Sequence, residues 1–276
     1  MTSLIKRVAT IMNEIAPLTL ADHSWDNVGI LVESPQSNNS GVVVLTVDLT
    51  PEVMEECLNH NVEVVVAYHP PIFSSFKRLR LSDPKQKIIL QTIRHGASIY
   101  SPHTSLDVAA NGINDWLASI LDTKGIVYPI QPSEGESNNA NTSVGNGRIV
   151  KLSQPKEMKD LVNNIKTGLG IPTARVSLPD KWNERTPIRS VAICAGSGTG
   201  VFRLLKEKVD VLFSGEMGHH DVLAANADGK AVILCEHTNT ERGYLREKLL
   251  PMLQEKLGND IRVIVSAVDK DPLVIW

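Results

Sequence analysis

Hydrophobic positions recur along the chain with two periods, and their alternation predicts the architecture. Leu4, Val8, Ile11, Met12 and Ile15 stand at helical spacing, so Thr2 to Ala16 reads as the first helix of the fold rather than a cleaved leader. After a Trp25-Asp26-Asn27-Val28-Gly29 turn come strand-like runs at Ile30 to Val32 and Val42 to Val47. A helix is predicted over Pro51 to Leu58, with Thr50 as its cap and Pro51 at its first position, and Val62 to Ala67 reads as a buried strand. The same reading gives a helix from Asp83-Pro84 to Arg94, a strand over Ala97 to Tyr100 and a helix over Gly112 to Leu121. Alternation of this kind predicts an α/β fold of mostly parallel strands joined by crossover helices.

The pattern breaks between Pro132 and Gly147, where Val144 is the one large apolar side chain, and this stretch reads as a mobile loop or linker. A small block follows: a strand at Arg148 to Leu152, a helix from about Pro155 to Lys166 and a strand at Ala174 to Leu178. The polar stretch Pro179 to Pro187 closes it. Strands are then predicted at Ser190 to Ala195, Val209 to Ser214, Val232 to Cys235 and Arg262 to Val265. The helices between them run to Lys208, through His219 to Ala227, and over Thr240 to Lys256. The expected organisation is a first α/β half over 1–131, an intervening segment over 132–187, and a second half over 188–276 packing with the first as one compact unit.

The two outer parts look like related halves, because each ends a strand in the same signature. His103-Thr104-Ser105-Leu106-Asp107 closes it in the first and His237-Thr238-Asn239-Thr240-Glu241 in the second. Parallel sheets gather ligands at the carboxyl ends of their strands, so two such halves are expected to converge on one cleft.

Composition then excludes several classes. With 28 basic and 31 acidic residues the net charge is −3, which gives no general attraction to nucleic acid or anionic membrane. No apolar run approaches the length needed to span a bilayer. Cys57, Cys194 and Cys235 are widely spaced and form no Cys-x-x-Cys pair, which argues for a reducing compartment and against a zinc knuckle. A cytoplasmic location is expected. Lys6 and Arg7, ahead of the first acid Glu14, leave a mitochondrial address open, and a nuclear one is the other alternative.

The chemistry-bearing residues stand at strand ends. A His and an acid four apart at a helix start lie on one face and can aim a nitrogen and an oxygen at one point. Such a pair alone is as well explained by a helix cap or a surface ion pair, but this one occurs twice. His69 ends an apolar strand and precedes Pro70-Pro71, which turn the chain away from the sheet; it is either a metal ligand or a satisfied core histidine. His69, His103, Asp107, His237 and Glu241 offer five donors where a mononuclear catalytic zinc takes three, so two metals are expected, with Glu241 or Asp107 as a bridge. Imidazole and carboxylate without thiolate suit Zn²⁺, Fe²⁺, Mn²⁺ or Ni²⁺. Gly196-Ser197-Gly198-Thr199-Gly200 is read either as a phosphate-holding turn or as simple turn geometry. Glu216, His219 and His220 are candidates for support or substrate contact, with Glu216 and His220 as proton shuttles, against a plain helix-entry role. Asp26 and Asn27 are either turn-formers or near-site groups.

WDNVG, YHPPIF, SPHTSLD, CAGSG, SGEMGHHD and EHTNTERGYL, in this order and over nearly the whole chain, resemble the Nif-three-like (YbgI-type) family. The resemblance implies an α/β protein of two similar halves, assembled as a toroidal homohexamer, with a dinuclear metal centre held by His69, His103, Asp107, His237 and Glu241. Tyr68 stands where bacterial members usually have His, as in eukaryotic members, and a phenol is a poor ligand unless the metal ionises it. Many longer members carry an inserted middle domain, for which the segment from Gln131 to about Pro187 is too short. Members are described as a type-two GTP cyclohydrolase I and others as partners of transcription factors. The expected function is therefore a metal-dependent hydrolase with a nucleotide as candidate substrate. The alternative is a metal-stabilised regulatory protein that engages protein partners.

Overall fold

The computed structural model describes residues 3–133 and 144–276, so the middle of the predicted linker lies outside the described residues. The chain forms two compact units: Met1–Leu106 with Tyr244–Lys270, and Asp107–Gly243 with Asp271–Trp276.

The first stretch runs α1 (Leu4–Ile15), β1 (Gly29–Val32), β2 (Val42–Thr46), α2 (Pro51–Asn59), β3 (Val64–Ala67), α3 (Pro84–His95), β4 (Ser98–Ser101) and α4 (Thr104–Val108). Local chemistry sets the boundaries. Thr50 Oγ1 accepts from Val53 N and Asp83 Oδ1 from Gln86 N, each with proline at the first helical position. Helix α3 ends at Gly96, whose φ of +78° suits a residue without Cβ; a Cβ there would also stand 2.7 Å from Gln36 O.

The middle stretch runs α5 (Ile113–Leu121), β5 (Ile126–Tyr128), β6 (Gln131–Pro132), β7 (Gly145–Asn146), β8 (Arg148–Glu157), α6 (Met158–Leu169), β9 (Arg175–Ser177), β10 (Pro187–Ser197), α7 (Thr199–Phe202), β11 (Val211–Glu216), α8 (His219–Ala227), β12 (Ala231–Leu234) and α9 (Asn239–Tyr244). The two ends of the predicted linker pair with each other as the antiparallel ribbon β6–β7. Arg148, read only as a strand residue from its pattern, is fully buried. Its guanidinium donates to both carboxylate oxygens of Asp115 and to the carbonyls of Ala109, Gly145 and Gly147. Five donors meeting four groups inside the unit is the arrangement a buried guanidinium requires.

The last helix, expected as one piece over Thr240 to Lys256, is interrupted. A π-turn (Leu245–Leu249) separates α9 from α10 (Leu250–Leu257), which carries Pro251 in its first turn. Proline has no N–H for the helical ladder and its ring crowds the preceding turn, which accounts for the irregularity there. Strand β13 (Arg262–Val265) follows.

The first unit holds a five-stranded sheet ordered β1-β4-β3-β2-β13, parallel except for β1 at the edge. Strands β2 and β3, rich in valine, are covered on both faces as central parallel strands must be. Val44, Val65, Ile99, Val53, Met54 and Ile89 belong to its core. The second unit holds a six-stranded sheet ordered β5-β8-β10-β11-β12-β9, whose parallel centre β10-β11-β12 is flanked by antiparallel strands. Ile149, Ala192, Leu212, Phe202 and Val232 pack its core. The expectation of an α/β fold with mostly parallel sheets holds.

Candidate metal centre

In the first unit, β2, β3 and β4 are neighbouring parallel strands, so their carboxyl ends share one edge. Asp48, His69 and His103 follow those three ends. His69 Nδ1 lies 2.9 Å from Asp48 Oδ1, and His103 Nδ1 lies 2.7 Å from Asp26 Oδ1. A carboxylate at Nδ1 favours the tautomer with its proton there and directs the Nε2 lone pair outward, which is how a ligating histidine is commonly oriented. The two imidazoles are close, with ring centroids 5.4 Å apart. Tyr68 is buried beside them, its ring centroid 4.9 Å from that of His69 and 5.5 Å from that of His103.

Asp26 also fixes the backbone that presents His103. Its Oδ2 accepts from Thr104 N at 3.2 Å and Thr104 Oγ1 at 2.5 Å, while His103 itself sits at φ +31°, an unusual conformation for a residue with a Cβ. Burial pushes the Asp26 carboxyl up, but bonds from His103 and Thr104 outweigh it and hold the group below its ordinary value.

The second unit repeats this plan. Glu216 ends β11 and His237 follows the adjacent parallel strand β12, and His237 Nδ1 lies 2.8 Å from Glu216 Oε1. One helical turn on, Glu241 is buried, with Oε1 3.4 Å from His237 Nε2. Here the left-handed residue is Glu236, at φ +65°, immediately before the histidine. Thr238 is held as Thr104 is: Asp271 Oδ2 accepts from its N at 3.2 Å and its Oγ1 at 2.8 Å. Thus both His-Thr pairs have the hydroxyl and amide of their threonine clamped by an aspartate distant in sequence.

Glycine makes room for these side chains. A Cβ on Gly196 would stand 2.7 Å from both Glu241 Oε1 and His237 Nε2, and the residue has φ +59°. The glycine turn that read as a phosphate candidate therefore serves packing at Gly196 and at Gly198, where a Cβ would stand 2.5 Å from Phe202 and Ser214. Asp107, in α4, is fixed through its backbone: Asn114 Nδ2 donates to Asp107 O while Asn114 Oδ1 accepts from Ala195 N, beside Gly196. The buried Cys194 thiol is pushed far up by burial and then by the carboxylates of Asp107 and Glu241, so it remains an unreactive thiol beside this acidic edge.

Within the first unit the structure brings His69 and His103 together, and within the second it brings His237 and Glu241 together. Glu216, weighed as a proton shuttle, has one oxygen engaged by His237; His220 lies in the first turn of α8, edge-on to His219 with ring centroids 5.3 Å apart. Asp48 and Asp271 were not singled out from the sequence. Asp48 had a signal, an acid directly after an apolar strand; Asp271 sits in a segment without a pattern.

A donor set of imidazoles with oriented Nε2 atoms and carboxylates fits a divalent transition metal. Three carboxylate–imidazole pairs at the carboxyl ends of parallel strands define the class as an α/β protein built around histidine–carboxylate sites. The sequence profile of the Duf34/NIF3 (NGG1p interacting factor 3) family matches residues 3–272, and the chain belongs to that family. It is 38% identical to NGG1-interacting factor 3 of Saccharomyces cerevisiae, over 98% of this chain and 96% of that protein. It is 39% identical to the protein NIF3 homolog of Schizosaccharomyces pombe, over 98% of each. Among solved structures it resembles a Bacillus cereus protein related to NIF3, with a TM-score of 0.82 and 19% identity over 98% of each chain. It also resembles reduced HcgD from Methanocaldococcus jannaschii, with a TM-score of 0.75 and 21% identity over 95% of this chain and 96% of that one. Among the described residues no helix is long and apolar enough to cross a membrane.

Proposed function

We propose that the protein binds divalent metal through His69, His237 and Glu241, with His103 and Asp107 completing a dinuclear set, and that it is a metal-dependent hydrolase. The observation that carries this reading is the carboxylate at Nδ1 of all three histidines, Asp48, Asp26 and Glu216. Three such pairs at strand ends are costly to assemble for packing alone, whereas a metal site needs each of them to fix tautomer and aim. A bound divalent ion would supply Lewis-acid activation of a substrate oxygen and of water. The chain's own part is to hold imidazoles and carboxylates in place, to keep Nδ1 protonated, and to move a proton through Glu216 or His220. Three buried free cysteines favour a reducing compartment, in which we place the protein in the cytoplasm. A ring of six copies is the assembly that the family resemblance suggests.

A second reading is favoured by Tyr68, a buried phenol at a position where a stronger ligand would be expected, and by the yeast relative's name as an interactor of NGG1. On that reading the metal stabilises a protein that acts by binding other proteins. Metal analysis of the purified, reconstituted protein, followed by a hydrolase panel with and without His237→Ala, separates the two. Metal content near zero ends the metal reading altogether. Bound metal with no turnover on phosphorylated or ring substrates favours the regulatory one. Unchanged stoichiometry in both His103→Ala and Glu241→Ala would overturn the ligand assignment.

A further inference from the structure

Two large aromatic side chains beside His103 are half exposed, Trp25 at 50% and Phe73 at 49%. Single exposed aromatics are ordinary; these two form a pair, with ring centroids 5.9 Å apart and planes inclined at 48°. Each also addresses the same imidazole. The Trp25 ring meets that of His103 edge-on at 5.8 Å and 85°, and Phe73 meets it at 6.5 Å and 78°.

A chain of hydrogen bonds holds the platform in place. Trp25 Nε1 donates to Asp22 Oδ2 at 2.8 Å, and Asp22 Oδ1 accepts from both the amide and the hydroxyl of Ser24. Asp22 N in turn donates to Thr104 Oγ1, the hydroxyl clamped by Asp26, so the Trp25 loop is braced on the residue next to His103. Asn27 Nδ2 donates to Ile72 O, tying this loop to the one that carries Phe73. Fixing the rotamer of an aromatic that stays half in water contributes little to folding. It does, however, remove the ordering cost that a stacking ligand would otherwise meet. The Phe73 loop continues into Lys77, Arg78 and Arg80, all exposed.

We propose that Trp25 and Phe73 form the stacking platform for a flat heteroaromatic ring whose anionic substituent is met by Lys77, Arg78 and Arg80, so that the ligand is a nucleotide set against His103. This deepens the metal-site reading and rests on it for the part His103 plays. The platform belongs to the substrate side of the site, because an aromatic face recognises a ring by stacking whatever its base, while Lys77 meets phosphate as a point charge and Arg78 and Arg80 meet it through their guanidinium forks.

The test is calorimetric titration of the metal-loaded full chain with the four ribonucleoside monophosphates and with the matching nucleosides. Metal content is measured on the same samples. Saturable binding is expected, weakened about tenfold or more by Trp25→Ala and by Phe73→Ala, since base stacking is worth roughly 1–3 kcal/mol per base. Lys77→Ala with Arg78→Ala should weaken the monophosphates and leave the nucleosides unchanged. All these variants should keep the wild-type metal content. The proposal is overturned if neither nucleotides nor nucleosides bind, or if both aromatic variants bind as the wild type does. It is equally overturned if sedimentation shows that Trp25→Ala or Phe73→Ala changes the assembly mass, which would make the pair a contact between copies. A wild type that takes up no metal would sink the hydrolase reading, while the stacking platform would still stand or fall by its own titration.

Discussion

The buried Arg148–Asp115 pair makes a demanding test of how the second unit is held together. Replacing Arg148 with Met keeps most of the volume and removes the charge. It takes the guanidinium away from the Asp115 carboxylate, of which 19% of the side chain is exposed and whose Oδ2 still accepts from Asn111 N, and from the carbonyls of Ala109, Gly145 and Gly147. Breaking a buried ion pair from one side costs about 3–5 kcal/mol, and the partial exposure of Asp115 moves the expectation to the middle of that range, about 4 kcal/mol. For a unit of this size each kcal/mol shifts the melting temperature by roughly 2–4 °C, so a drop of roughly 8–16 °C is expected in thermal unfolding followed by circular dichroism. Removing both charges in Arg148→Met with Asp115→Leu should recover most of the loss, because no uncompensated charge remains. The reasoning is refuted if the single variant loses under about 1 kcal/mol, or if the double variant is no more stable than the single one. The consequence reaches the candidate site, since α5 carries both Asp115 and the Asn114 that links Asp107 to Ala195.

Asp48→Asn and Glu216→Gln should each weaken metal affinity about 10–100-fold at unchanged stoichiometry, because an amide can present its NH₂ to Nδ1 and reverse the tautomer; competition with a chromogenic chelator reads this. Gly196→Ala must place a methyl against His237 and Glu241 at φ +59°. It should lower both metal content and stability, the latter by about 1–2 kcal/mol from the backbone alone, in urea titrations of the two proteins. Burial would push the Asp122 carboxyl up, but hydrogen bonds from Ser153 and from Lys124 N pull it down to about 2. A carboxyl lower in the folded state than its ordinary value near 3.8 stabilises above that value, and the contribution fades as the pH falls toward 2. Asp122→Asn should therefore cost roughly 1 kcal/mol at pH 7, after discounting for solvent screening, and nothing measurable near pH 2. An equal loss at both pH values would contradict this account.

Much of the fold was legible because its strands are unusually plain. Val42 to Thr46 and Val64 to Ala67 are apolar on both faces, and Thr50-Pro51 and Asp83-Pro84 announce their helices. The His-Thr-x-x-acid signature marked two of the three strand ends that carry the candidate ligands, and His69 before Pro70-Pro71 marked the third. What escaped depends on groups brought from elsewhere in the chain. Asp271 and Asp48 are ordinary acids until the fold sets them against Thr238 and His69. The antiparallel strand Ile126–Tyr128 is too short to show a period, and Arg148 reads only as a strand residue until its five donors are counted. The helical reading over Thr240 to Lys256 runs straight through Pro251, and the π-turn that precedes this proline has no composition of its own.

The two threonine clamps are closed from opposite directions along the chain: Asp26 lies well before Thr104, whereas Asp271 lies after Thr238. During synthesis the first clamp can close as soon as α4 has emerged, but the second waits for Asp271. The first unit also waits, since β13, the neighbour of β2, is made late. A nascent chain halted at Gly243 therefore carries β2 as an open parallel edge, and Thr238 lacks its acceptor. Both units therefore depend on the segment that follows Gly243, and the β2 edge is the surface left to be covered until β13 has been made.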